Sequence, residues 1–181
     1  MKAAPRLIGL CGAAGSGKSF AAAHLEDAHD FNRLRFAAPL KKMLRALGLT
    51  EAEIEGERKE QPCGLLCGKT PRQAMQWLGT EWGRKLIGAE FWVNAWGELA
   101  DDLLANQCAI AVEDVRFANE AAAIWKRGGL LVRIDRAGAG SASAAGHESE
   151  ALAFPYDLRL TNPGTPEDFR RLLDDLAKGK A

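Results

Sequence analysis

Gly12-Ala13-Ala14-Gly15-Ser16-Gly17-Lys18-Ser19 follows directly on the apolar run Leu7-Ile8-Gly9-Leu10-Cys11 and leads into Phe20-Ala21-Ala22-Ala23-His24-Leu25, a helix-forming stretch. The spacing is G-x-x-x-x-G-K-[ST], with a strand feeding a phosphate-binding loop. Its glycines let the backbone curl until N–H groups point at phosphate oxygens, while Lys18 adds positive charge and Ser19 offers a hydroxyl to Mg²⁺. The helix that follows would aim its positive dipole end at the same anion. Strand, loop and helix in this order imply a site for the phosphates of a nucleoside triphosphate, formed by Gly12, Ala13, Ala14, Gly15, Ser16, Gly17, Lys18 and Ser19. A glycine turn without a ligand is the competing reading, and the flanking elements disfavour it.

Working outward, 181 residues with 47% hydrophobic content suffice for one α/β domain over 1–181. Lys plus Arg and Asp plus Glu balance at 24 each, so no global positive field exists to hold a nucleic acid polymer. Small anionic nucleotide substrates, gripped by local arginines, fit the charge better. No apolar stretch approaches a membrane span, and the strand before the loop accounts for the apolar start without a signal segment, so a cytoplasmic location is expected. The cysteines at 11, 63, 67 and 108 lack the paired spacing of a zinc site, and reduced thiols are expected.

Short apolar runs alternate with longer helical ones, which predicts parallel strands joined by crossover helices. Strands are expected at 6–11, 33–36, 109–113, 130–134 and 157–160, giving a central parallel sheet of about five strands. The stretch 39–107 reads mostly as helices, a cap that would choose the substrate. Thr70-Pro71-Arg72-Gln73 and Thr165-Pro166-Glu167-Asp168 mark helix starts, each with Thr as N-cap and Pro in the first turn. The Ala-Gly-Ser-rich segment within 136–150 reads as a lid or a loose connection.

Two further constellations carry chemistry. Ala109-Ile110-Ala111-Val112-Glu113-Asp114-Val115-Arg116 is an apolar strand whose end delivers acids and an arginine, and in an open parallel sheet that end faces the ligand crevice. Asp114 could orient the Mg²⁺ shell or an attacking oxygen, and Arg116 could grip a phosphate, or the two could be a surface ion pair. Glu120 would lie one turn inside the next helix, within reach of a sugar hydroxyl or an arginine. Arg72 starts a helix whose N–H groups would favour an incoming phosphate, or it packs against a neighbouring acid. Of the five tryptophans, 77, 82, 92 and 96 fall in the cap, where 78–82 and 92–96 repeat at the spacing of one buried face. Trp92 reads either as a base-stacking ring or as core. No Asn-Lys-x-Asp run of a guanine-specific switch is present, so the anatomy favours a small-molecule kinase.

These pieces together resemble the phage-type deoxynucleoside monophosphate kinases of the P-loop NTPase superfamily. The resemblance rests on the loop with Lys18, on Phe36-Ala37-Ala38-Pro39-Leu40-Lys41, on Thr70-Pro71-Arg72 with Leu78-Gly79-Thr80-Glu81, and on Asp114-Val115-Arg116-Phe117-Ala118-Asn119-Glu120. Gly146-His147-Glu148-Ser149-Glu150 and Asn162-Pro163-Gly164-Thr165 extend it towards the C-terminus. It implies a three-layer α/β fold with a helical substrate-binding cap, and transfer of the γ-phosphoryl group of ATP, with Mg²⁺, to a deoxynucleoside monophosphate. It implies a monophosphate site of Lys41, Arg72, Trp92, Asp114, Arg116 and Glu120, with Lys18, Arg72, Asp114 and Arg116 catalytic and Ser19 holding the metal. Asn162 would lie near the adenine, where family members often have Asn-Asp-Gly instead of Asn-Pro-Gly. Arg133 or Arg136 would close over the transition state, and a homodimer is compatible with the chain. A dephospho-coenzyme A kinase-like enzyme, with Asp114 as base, and a non-catalytic nucleotide-binding module are the alternatives.

Overall fold

Apolar residues on both sides of a pleat require cover on both faces, and the structure provides it. In the computed structural model, which describes residues 4–140 and 154–180, β1 (Leu7–Cys11) is buried along its whole length. It stands between β3 (Ala109–Val112) and β4 (Leu130–Asp135), with β2 (Phe31–Arg33) and β5 (Leu158–Thr161) outside them, in the order β2-β3-β1-β4-β5. Every pairing is parallel. Ile8 and Leu10 join Ala21, Ala22 and Leu25 of α1 (Lys18–His29) and Phe169, Leu173 and Leu176 of α7 (Pro166–Ala177) in one core. Gly9 turns the other way: a Cβ there would lie 2.4 Å from Ile124 Cδ1 of α6 (Ala118–Lys126) and 3.3 Å from Val115 Cγ2. Helix, sheet and helix make the three-layer α/β phosphate-loop fold.

The chain divides into two compact units, Met1–Arg35 with Trp96–Ala181, and Phe36–Ala95. The second is helical, with α2 (Ala38–Ala46), α3 (Glu51–Ile54), α4 (Pro71–Gln76) and the start of α5 (Phe91–Ala105). Its core gathers Leu40, Leu44, Leu49, Ile54 and Trp92. α4 runs straight into π-helical turns over Trp77–Ile87, closed by a bond from Gly88 N to Gly83 O at 3.0 Å. That widened turn departs from the ordinary helical spacing read from the sequence, and it leaves Trp77 47% exposed while Trp92 and Trp96 are buried. In the first unit Trp96 donates from Nε1 to the Leu34 carbonyl at 3.4 Å, and the Arg127 guanidinium lies 5.2 Å over its ring.

The strand expected at 33–36 lies earlier. Asp30 ends α1 in the left-handed conformation, so pairing begins at once with Phe31, and beyond Arg33 only Leu34 N still reaches Ala111 O, at 3.0 Å. Both marked helix starts form as read. Thr70 accepts from Gln73 N while Gln73 accepts from Thr70 N, and Thr165 accepts from Asp168 N. The Gly146 to Glu150 motif and the 141–150 part of the lid reading lie outside the described residues.

α7 is fixed to α1 by Phe169, which is 2% exposed and stacked on Phe20 with ring centroids 5.7 Å apart. Phe169→Ala should therefore cost about 3–5 kcal/mol in urea unfolding, with the m-value unchanged.

Candidate active site

β1 ends where the sheet order reverses, between strands that lead to opposite faces, and ligands of open α/β sheets bind at such a point. The chain leaves β1 at Gly12, with φ +138° and so little room that a Cβ would meet Ile134 O at 2.2 Å. The loop then curls through Gly15 at φ +78°, where a Cβ would meet nothing within 4 Å, and through Gly17 in the left-handed region, which caps α1. Ser16 is fully buried, with no partner for its hydroxyl. Lys18 folds back over the loop, donating to the carbonyls of Gly12 at 2.8 Å and Ala13 at 2.7 Å. Ser19 is exposed on the first turn of α1, which carries no acidic side chain to neutralise its dipole. A cationic loop at a helix N-terminus, open beside Gly15, suits a chain of phosphates.

Asn162 buttresses this loop. It follows β5, donates from Nδ2 to Ser16 O at 3.0 Å, and accepts from Gly164 N at 3.0 Å. The amide thus locks its own Asn162-Pro163-Gly164 turn and the phosphate loop together.

At the end of β3, Asp114 and Arg116 are half-buried. Glu120 is buried, and its Oε2 accepts from Arg116 N at 2.7 Å and Phe117 N at 3.1 Å, so it satisfies backbone donors at the start of α6. It therefore fixes the segment that presents Arg116. Sequence reasoning passed over Glu113, which is 5% exposed and bonds Arg33 at 2.8 Å as well as Arg35. Burial opposes the Arg33 charge, but the Glu113 hydrogen bond and charge outweigh it and raise its pKa. The signal was an acid after an apolar strand with two arginines near the end of the neighbouring one. Asp135, on β4, binds Arg133 at 2.9 Å and Arg159 at 2.6 Å. Burial works against its charge, yet the two arginines hold its carboxyl below the usual range. Arg133 also lies 5.6 Å over the Tyr156 ring. Arg136 is exposed.

Lys41, Arg72 and Trp92 belong to the second unit. Lys41 holds Glu55 at 2.8 Å and Arg72 holds Glu60. The expectation that helix amides beside Arg72 await a phosphate is corrected. Arg72 N donates to Lys59 O at 3.0 Å, Gln73 N is taken by Thr70 Oγ1, and Pro71 has no N–H. The stacking reading of Trp92 is corrected too: it is 3% exposed, donates to Gly79 O at 2.8 Å, and packs among Trp82, Phe91 and Leu40. The core role fits a ring against which a Gly83 Cβ would approach to 2.4 Å.

Compared with known proteins, the chain is 36% identical over 176 residues to a protein of Acanthamoeba polyphaga mimivirus named as a deoxynucleotide monophosphate kinase, the match covering 90% of this chain and 91% of that protein. The chain belongs to the deoxynucleotide monophosphate kinase family. It is accordingly a nucleotide phosphotransferase. No family model matches it. Among solved structures it is similar to the APS kinase CysC of Mycobacterium tuberculosis, at 16% identity and a TM-score of 0.46 over 97% of this chain and 98% of that one. It is also similar to the dephospho-CoA kinase of Campylobacter jejuni, at 14% identity and a TM-score of 0.48 over 97% and 99%. Among the described residues no helix is long and apolar enough to cross a membrane.

Two measurements check this placement. Trp92→Ala should lose about 3–5 kcal/mol of stability, as a buried ring does; an unchanged unfolding midpoint would return the residue to the surface. Burial pushes the Cys11 thiol, one residue before the loop, up to about 11 against the pull of Arg133 and Lys18, while Cys67 is exposed. Thiol alkylation near neutral pH, read by peptide mass, should therefore label Cys67 and spare Cys11 until the protein unfolds.

Proposed function

We propose that the enzyme transfers the γ-phosphoryl group of ATP to a deoxynucleoside 5′-monophosphate, giving the diphosphate. The observation that carries this is the phosphate loop with Lys18 at the end of β1, in a chain whose family is named for that acceptor. The mimivirus relative supports the acceptor class, and a cytoplasmic site of action in a phage or its host accords with it.

Phosphoryl transfer needs little covalent help, but it does need in-line placement and neutralisation of charge on the moving group. The loop N–H groups and Lys18 would hold the donor phosphates, Lys18 exchanging its loop carbonyls for phosphate oxygens that bind it more strongly. The exposed Ser19 hydroxyl and the Asp114 carboxylate are hard oxygen donors, the chemistry Mg²⁺ prefers. When bound there, the metal would neutralise charge on the donor phosphates. Arg116, held by the Glu120 carboxylate at its backbone, is the candidate for the acceptor phosphate in the first unit, and Arg72 and Lys41 are the candidates in the second, with 39–107 as the substrate-binding insertion. Those two cations now hold carboxylates, which a dianionic phosphate would displace. The acceptor is already ionised near neutral pH, so Asp114 positions and does not abstract a proton.

The test is transfer of label from γ-labelled ATP to each deoxynucleoside monophosphate, its ribo counterpart and dephospho-coenzyme A. Labelled deoxynucleoside diphosphate is the expected product; label only on dephospho-coenzyme A, or on no acceptor, would overturn the reading. Lys18→Ala should lower turnover by about 10²-fold or more. Arg116→Ala should lower kcat/KM for the monophosphate by about 10- to 100-fold, the worth of one charge-assisted hydrogen bond, and leave the KM for ATP nearly unchanged.

A further inference from the structure

Far along α1 from the phosphate loop, three donors converge that nucleotide chemistry does not use. His24 and His29, both on α1, present Nε2 to the same oxygen, Asp174 Oδ1 on α7, at 2.8 and 2.7 Å. Their ligand atoms all lie within 4.8 Å of one another. The side chains of His24 and His29 are only 13% and 17% exposed, and that of Asp174 is 37% exposed. The imidazole rings meet edge to face, 5.8 Å between centroids, so each ring supports the orientation of the other. The scaffold is equally firm, because α1 and α7 are packed together through Phe20, Phe169 and Leu173.

We infer that His24, His29 and Asp174 form a binding site for a divalent transition metal of the zinc type. Two imidazole nitrogens and one carboxylate oxygen are a donor set for Zn²⁺, Co²⁺ or Ni²⁺, whereas Mg²⁺ and Ca²⁺ select oxygens. Three protein ligands leave a fourth tetrahedral position to water. The present hydrogen bonds hold the three atoms slightly too close for a bound ion; entry of the metal requires side-chain shifts on the order of 1 Å or less and leaves each imidazole with its ring proton on Nδ1. The cysteines form no rival cluster among the described residues: Cys63 is buried against Glu53, and Cys67 is exposed. Bound metal would tie α1, which begins with Lys18, to α7, which follows the Asn162 turn. The site would thus brace both elements that shape the phosphate loop.

The experiment uses the full chain without nucleotide, titrated with zinc alone and followed by calorimetry and thermal unfolding. One zinc per chain is expected, with Tm rising by about 5–10 °C at free zinc a hundred times its dissociation constant, and no comparable rise with magnesium. His24→Gln and His29→Gln can each still donate a hydrogen bond to Asp174 but supply no imidazole, and each should weaken zinc binding by about tenfold or more while keeping a native circular dichroism spectrum. No binding up to millimolar zinc, or binding unaltered in both variants, overturns the inference. Cobalt gives an independent reading on the unmodified protein: tetrahedral d–d bands without thiolate charge transfer support imidazole and carboxylate ligation, and thiolate charge transfer overturns it.

Discussion

Everything at the active site depends on how β1 ends. A strand buried between two others has no room for a wide turn, and the chain leaves it through Gly12, where the Ile134 carbonyl forbids any Cβ. Only glycine fits there, and its freedom lets the backbone take a positive φ and curl over the strand end. The curl then brings the carbonyls of Gly12 and Ala13 to the place where Lys18 reaches them. Asn162 holds the loop from the other side through Ser16. On the proposed reading, phosphate recognition is a property of the backbone path, with Lys18 adding the charge.

A second regularity is that, within each unit, many of the cations are paired with carboxylates. Glu113 holds Arg33 and Arg35, Asp135 holds Arg133 and Arg159, Glu55 holds Lys41, and Glu60 holds Arg72. Such pairs keep long side chains ordered, in a chain whose 24 Lys and Arg balance its 24 Asp and Glu. They differ in what can replace them. Glu113 is nearly buried, so the arginines it holds are structural, whereas Glu60 is 64% exposed and screened by water, so its grip on Arg72 is weak enough for a phosphate dianion to displace.

The parts readable from the sequence are those whose signal is local. The glycines and Lys18 of the loop, the Thr70 and Thr165 caps and the apolar runs of β1, β3 and β4 are each encoded within a few residues. The rest depends on partners distant in sequence. Trp92 could be a stacking ring or core until its neighbours Gly79, Gly83 and Leu40 are known, and no local signal marks the widened turns over Trp77–Ile87. Glu113 sits beside Asp114 in sequence, yet only the parallel pairing of β2 with β3 shows that it faces Arg33. Glu120 reads from the sequence as reaching a sugar hydroxyl or an arginine, and only the fold shows its carboxylate accepting from the backbone N–H groups of Arg116 and Phe117.

The central claim is that Lys18 and the loop it closes form the donor-phosphate site. The most direct measurement is calorimetric titration of a non-hydrolysable ATP analogue with Mg²⁺ into the unaltered protein and into Lys18→Ala, both shown to be folded. The account predicts binding to the unaltered protein that is weakened by about tenfold or more in the variant, the worth of a charge-assisted contact. Equal affinity in the two proteins would contradict it and place the triphosphate elsewhere.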